Sequence, residues 1–164
     1  MSLLSNSHSN GAQDGADARL ILLKDWLTSL NLVDPASARP ASADASFRRY
    51  FRVDVLPAQQ AAHGATLIVM DAPPERENVP AFVKVDALFT AAGVSVPVIV
   101  AQDVERGLLL LSDLGVSTYL QVLDHDNAST MYAEALEALV KIQKASQPGA
   151  VSYTHLTLPT ILLV

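Results

Sequence analysis

The residues best suited to chemistry cluster in one short stretch. From Pro40 to Val53 the chain reads Pro-Ala-Ser-Ala-Asp-Ala-Ser-Phe-Arg-Arg-Tyr-Phe-Arg-Val, with small polar residues at what reads as a strand tip and Arg48, Arg49 and Arg52 within five residues. Backbone amides and the hydroxyls of Ser42 and Ser46 at such a tip can hydrogen-bond phosphate oxygens, and guanidinium groups can pair with them bidentately. The competing reading, and on chemistry alone the commoner arrangement, is a hairpin whose alternating arginines face water.

Other candidates carry less. Asp124-His125-Asp126-Asn127 lacks the glycine and later Glu of a calcium loop, and its order gives no His-x-Asp with a following Asn, so it reads as a helix N-cap. His8, His63, His125 and His155 share no metal-ligand spacing, and there is no cysteine. Neither Gly-x-Gly-x-x-Gly nor a Gly-Lys-Ser/Thr loop occurs.

The elements that must position the Ser/Arg stretch follow from pattern. Leu20, Leu23, Leu27 and Leu30, with Trp26 beside them, repeat at helical spacing and predict an amphipathic helix ending before Asp34-Pro35. Pro35 to Ala45 is rich in Ala, Ser and Pro and reads as a connector into a strand over Phe47 to Val53. A turn through Pro57, His63 and Gly64 separates it from a second strand, Thr66 to Met70. A helix follows, with Pro80 in its first turn, Phe82, Val85, Leu88 and Phe89 inward and Gly93 as its stop. Glu75 and Glu77 suit a helix-start cap. Val94 to Gln102 and Leu108 to Leu111 read as strands joined by a turn at 103–107, and helices follow at roughly 116–123 and 128–145. The class is α+β, an antiparallel sheet with an inserted helix.

Three ordered segments then carry a family resemblance: Ser42 to Arg52, Ile68-Val69-Met70-Asp71-Ala72-Pro73-Pro74, and Gly107 to Gly115. Together they resemble the N-terminal lobe of the bacterial N-acetylmuramate/N-acetylglucosamine anomeric kinases, in the aminoglycoside phosphotransferase group of protein-kinase-like enzymes. The resemblance covers about residues 17 to 146. It implies a two-lobed kinase that uses ATP and Mg2+ to phosphorylate the anomeric hydroxyl of an amino sugar in cell-wall recycling; separately, Met1 to Asp14 shows no basic stretch followed by an apolar core, which favours a cytoplasmic protein. The same fold with choline, homoserine or an aminoglycoside as acceptor remains open, as does a non-catalytic binding module using the Arg-bearing strand to hold an acidic partner.

Carried onto this sequence, the resemblance makes Ser42 to Arg48, with Ser42, Asp44, Ser46, Phe47 and Arg48, the phosphate-covering loop between the first two strands. It lacks glycine and should be stiffer than a Gly-rich loop. Leu111, Ser112, Asp113 and Leu114 become the hinge whose backbone meets an adenine edge, although a mere strand end reads as well. Met70 stands where kinases of this group place a third-strand Lys; Arg48 or Lys84 are the candidates to compensate, and Lys84 reads more simply as a solvated helix residue. Glu75 or Glu77 could serve as the helix-borne acidic partner. The Asp, the Asn five residues later and the metal-binding Asp of phosphoryl transfer are not found, so no catalytic or metal-ligating residue is assigned and the chain alone is expected to be inactive.

Composition bounds these readings. The 164 residues carry 17 acidic and 11 basic side chains, a net charge of −6, and half are hydrophobic. A chain of this size buries roughly 70% of its unfolded surface without staples. So few cations argue against duplex binding, and no run approaches the roughly 18 apolar residues of a membrane span. The expected partners are a small-molecule nucleotide and an amino sugar, with neither nucleic acid nor membrane. Residues 1–16 read as a disordered leader, 17–115 as a kinase-like N-lobe and 116–150 as the start of a truncated helical lobe. That last helix, from Ala133 to Lys144, should show an apolar face that normally packs on more protein. Val151 to Thr160 resembles translated read-through of a sequencing adapter, so 151–164 are expected to be a non-native tail.

Overall fold

A leucine stripe starts the fold. Leu20, Leu23, Leu27 and Leu30 lie along one side of helix α1 (Asn10–Leu30), and Leu23, Trp26 and Leu27 are buried. Asn31, in the left-handed region at φ 53°, follows its last turn. A computed structural model describes the backbone of residues 10–43 and 47–146, and the side chains of 18–41 and 47–146. Helix α1 thus takes in residues 10–16 of the stretch expected to be a leader. Extending a helix already nucleated over the leucines costs little per residue, and Ala12 and Ala16 favour it. The expectations for residues 1–9, for Asp44 and Ser46 and for the tail at 151–164 lie outside the described residues.

The stretch expected to be a connector is a strand, β1 (Val33–Ala43), which corrects the reading of Pro35 to Ala45. Its composition misleads because it is the first strand of a five-stranded sheet ordered β1-β2-β3-β5-β4, and an edge strand tolerates the missing N–H groups of Pro35 and Pro40. The register slips between Asp34 and Arg39 and again between Pro40 and Ser42. The first irregularity is pinned locally: Asp34 Oδ1 accepts from Ala36 N at 2.9 Å, and Ser37 Oγ accepts from Asp54 N at 2.8 Å.

Strand β2 (Arg49–Val55) pairs antiparallel with β1 and with β3 (Thr66–Asp71). A short 3-10 turn (Pro57–Gln59) and helix α2 (Gln60–His63) connect β2 to β3. Directly opposed residues share a face, so Arg49 with Asp71, Phe51 with Val69 and Val53 with Leu67 form one face of the β2–β3 pair. That face packs on α1: Leu23, Trp26, Leu27, Val33, Val53, Val55, Leu67, Val69, Leu108 and Leu110 form a single buried cluster. The alternate positions, Tyr50 with Met70 and Arg52 with Ile68, point the other way.

Helix α3 (Val79–Ala91) starts at Asn78, whose Oδ1 accepts from Ala81 N at 3.0 Å, with Pro80 in the first turn. The cap is therefore Asn78 and neither Glu75 nor Glu77. Strand β4 (Ile99–Asp103) is shorter than the expected Val94 to Gln102, because Pro97 has no N–H to offer a ladder. Strand β5 (Leu108–Ser112) follows a tight turn closed by Gly107 at φ 75°. Helices α4 (Tyr119–Val122) and α5 (Ala128–Ala145) complete the order, α4 being only the core of the expected 116–123.

Two compact units result: residues up to Glu77 with Val100–Leu111, and Asn78–Ile99 with Ser112 onward. The first contains the sheet core and α1; in the second, α3 packs on α5. Tyr132, Leu136, Leu139 and Val140 repeat along α5 at helical spacing and are exposed, giving the apolar face expected of that helix. No helix among the described residues is long and apolar enough to cross a membrane.

Candidate functional site

Strands β1 and β2 bring the Ser/Arg stretch to one end of the sheet, and their connection holds Asp44 and Ser46, outside the described residues. Ser42 is paired in register with Tyr50, and Tyr50 with Met70, so these three positions form one row across β1, β2 and β3. Met70 is fully buried in that row and offers a thioether where a cation was sought.

The far end of the connection is clasped from the turn that follows β3. Glu77 Oε1 accepts from the backbone N–H of Phe47 at 3.2 Å, and Glu77 Oε2 accepts from Arg48 Nε at 3.0 Å. The two side chains are only 15% and 14% exposed. Beside them the guanidinium of Arg76 lies 4.6 Å from the centroid of the exposed Phe47 ring, a cation–π distance. The turn is itself fixed, since Arg76 N and Glu77 N both donate to Pro73 O at 2.9 Å. Sequence reasoning placed Glu77 at the helix start and missed this pairing. The signal was there: Asn78 ahead of Val79-Pro80 is the better cap, which puts Glu77 outside the helix.

Arg49, one residue on, goes elsewhere. Its Nε donates to Asp71 Oδ2 at 3.0 Å, and Arg19 Nε on α1 donates to Asp71 Oδ1 at 2.9 Å; the Nη2 groups of both arginines also reach this carboxylate. Asp71 is 0% exposed. Arg19 Nη2 further donates to Arg106 O at 2.9 Å. A carboxylate so enclosed, on the face that packs against α1, is a structural tie. Arg49 is thus tied to a buried carboxylate while 35% of its side chain remains exposed.

In the proposed hinge, Leu111 is buried and ends the first unit. Ser112 is bonded twice to Val98: its N–H donates to Val98 O at 2.8 Å, and its Oγ accepts from Val98 N at 2.8 Å. Its amide is therefore already used and is not one that an adenine edge would meet. Asp113 Oδ1 accepts from Gly115 N at 2.8 Å, shaping the bend, and Leu114 is exposed. Lys84 lies exposed on α3.

The Asp124–Asn127 cluster is a closed turn. Asp124 Oδ1 accepts from Asp126 N and Asn127 N, and Asn127 Oδ1 accepts from Asp124 N, each at 2.9 Å. His125 is fully exposed. Among the described residues no group of three His, Cys, Asp or Glu side chains could hold a metal ion.

The sequence model of the phosphotransferase enzyme family matches residues 37–162, more than half of the chain. The chain belongs to that family. Within it, this phosphotransferase-family chain is 47% identical over 143 residues to an N-acetylmuramate/N-acetylglucosamine kinase of Pseudomonas aeruginosa, covering 81% of the chain and 40% of the relative. It is 50% identical over 138 residues to a protein of the same name from Pseudomonas putida, covering 78% and 39%. A third, from Neisseria meningitidis, is 36% identical over 135 residues, covering 80% and 38%. The chain thus spans about two fifths of the length of the curated relatives it matches. Its α+β sheet with inserted helix is consistent with the N-terminal lobe of a kinase-like fold.

Proposed function

We propose that this chain is the nucleotide-gripping part of an ATP-dependent kinase that phosphorylates the anomeric hydroxyl of N-acetylmuramate or N-acetylglucosamine in the cytoplasm, in the service of cell-wall recycling. The observation that carries the reading is the 47–50% identity to two proteins named for that activity. The division of labour follows the residues. Ser42, Asp44, Ser46 and Arg48 receive the phosphates through backbone amides, hydroxyls and a guanidinium, while Phe47, whose N–H is already donated to Glu77, belongs to the same loop without offering its amide. Met70, fully buried in the row it shares with Ser42 and Tyr50, backs this end of the sheet from beneath and offers the phosphates no cation. The backbone from Leu111 to Leu114 reads the adenine edge, Asp113 and Leu114 standing nearest the task because the Ser112 amide is already bonded.

Mg2+ accompanies ATP in such reactions and neutralises charge on the phosphates. The described residues offer no carboxylate set to hold it, so no step is derived through the metal. These 164 residues also contain no His-x-Asp to orient the acceptor hydroxyl, and on their own they are proposed to be inactive. We read residues 17–115 as the N-lobe and 116–150 as the beginning of a helical lobe.

The test has two arms. Mg·ATP added to the isotopically labelled chain should shift the amides of Ser42–Arg48 and of Asp113–Leu114, while no sugar phosphate accumulates with N-acetylmuramate. Residues 1–146 joined to the remaining length of the Pseudomonas putida relative should restore phosphorylation of N-acetylmuramate. An absence of nucleotide-dependent shifts, with an inactive chimera, would overturn the reading.

A further inference from the structure

We propose that Arg76, resting on the ring of Phe47, is a specificity-determining residue: its guanidinium meets the carboxylate that N-acetylmuramate carries and N-acetylglucosamine lacks. The inference rests on the sugar-kinase reading above and deepens it, naming the group that tells the two acceptors apart.

Three observations carry it. Arg76 is exposed and forms no ion pair with a described carboxylate; its guanidinium lies over the Phe47 ring, 4.6 Å from the centroid. The arginines beside it are engaged otherwise, Arg48 with Glu77 and Arg49 with Asp71. The guanidinium also has a tethered support. Arg76 N and Glu77 N both donate to Pro73 O at 2.9 Å, and Phe47 N donates to Glu77 Oε1 at 3.2 Å, so cation and ring approach each other from two fixed stretches of backbone. Finally, Phe47 belongs to the loop read above as covering the phosphates, and its ring stays 58% exposed. In-line transfer brings the acceptor hydroxyl up to the terminal phosphate, so a reacting sugar lies beside this loop and its anionic substituent comes within reach of a cation held there.

The ring contact also accounts for tolerance of a neutral sugar. A buried guanidinium would be stranded whenever N-acetylglucosamine bound. An exposed one lying on an aromatic face keeps water and the ring as partners, and so favours a carboxylate without penalising its absence.

Residues 1–146 joined to the remaining length of the Pseudomonas putida relative are assayed for kcat/KM on N-acetylmuramate, on its methyl ester and on N-acetylglucosamine. The variants are Arg76→Ala, Arg76→Lys and Phe47→Leu. Arg76→Ala should lower the ratio of N-acetylmuramate to N-acetylglucosamine about tenfold, the worth of one charge-assisted contact, through KM for N-acetylmuramate. Arg76→Lys retains the charge and should hold the ratio within about threefold of the parent. Phe47→Leu removes the platform and should lower the ratio about threefold, adding nothing once Arg76 is replaced. The methyl ester, its charge gone, should respond to Arg76→Ala as N-acetylglucosamine does. Added salt should raise KM for N-acetylmuramate in the parent and leave it level in Arg76→Ala.

An equal loss on both sugars with a raised KM for Mg·ATP would assign Arg76 to the nucleotide and overturn the proposal, with the kinase reading intact. An unchanged ratio in Arg76→Ala, or an ester that responds as N-acetylmuramate does, overturns it as well. A parent chimera that phosphorylates neither sugar overturns the sugar-kinase reading and this proposal together.

Discussion

Arg48 and Arg49 are neighbours in sequence and opposites in use. Arg49 faces α1 and closes on Asp71, a carboxylate with no exposure that Arg19 holds from the other side. Arg48 meets Glu77, a carboxylate from a turn, where both partners keep a little contact with water. The difference lies in what each pair would leave behind if broken. Asp71 is the fully buried charge of its cluster, and removing either arginine, 20% or 35% exposed, leaves that carboxylate short of a partner where water does not reach it. In the Arg48–Glu77 pair neither group is fully buried, 15% and 14% of the two side chains remaining exposed, so each keeps a path to water if the pair opens. The first pairing makes the fold, and the second sets the posture of a segment within it.

The sharpest way to break this contrast is Asp71→Ala. Two arginines would then converge on nothing, and the expected loss is about 3–5 kcal/mol, read as a fall in the urea midpoint. A loss below about 1 kcal/mol would mean that the water already reaching Arg19 and Arg49, 20% and 35% exposed, replaces the carboxylate, and that the two pairings differ less than they look. Gly107→Ala should come next. An added Cβ would lie 1.9 Å from Ala72 O at a residue whose φ is +75°, and Ala72 N donates to Gly107 O at 2.8 Å. Neither backbone can retreat without losing that bond. A cost of about 2–3 kcal/mol is expected in the same unfolding assay, and an unchanged midpoint would show that the turn relaxes freely.

Glu77→Gln should do much less to the fold. Replacing the carboxylate by an amide that can still accept from the Phe47 N–H, in a pair whose side chains are 15% and 14% exposed, predicts a loss of about 1–2 kcal/mol in urea. A loss as large as that of Asp71→Ala would place Glu77 with the structural ties and erase the distinction between the two arginines.

How far the sequence could show this depends on the kind of signal. Helix α1 was plain, because Leu23 and Leu27 recur at helical spacing and no other element explains that stripe. Strands β2, β3 and β5 were likewise readable from aromatic and aliphatic runs. Strand β1 was not, because its two prolines and many small residues suit a connector and become strand only by pairing with β2 at the sheet edge. The site divides the same way. Ser42 and Met70 were marked individually, yet the row that joins them passes through Tyr50 and depends on register. Arg48 and Arg49 look alike in sequence; their carboxylate partners lie 29 and 22 residues away along the chain, and no local pattern encodes which carboxylate each will meet.

A second carboxylate gives the comparison its finest test. Asp71 is enclosed by two cations, whereas burial on α3 raises the pKa of Asp86 above its ordinary 3.8. The sign follows from linkage: the folded chain holds the Asp86 proton more tightly than the unfolded chain does. Its contribution is therefore fully present below pH 3.8 and is lost as pH rises through the higher folded value. At neutral pH the ionised, partly buried carboxylate is a small liability. Asp86→Asn removes the titration and should unfold on the order of a degree higher than the parent at pH 7, with the advantage shrinking as the pH falls toward 4 in a thermal series. Asp71→Asn should do the reverse at neutral pH, losing stability because the arginines need the charge. If Asp86→Asn keeps a constant offset at every pH, the desolvation of Asp86 is not its source. If both Asn variants move the midpoint the same way, enclosure by Arg19 and Arg49 does not set Asp71 apart.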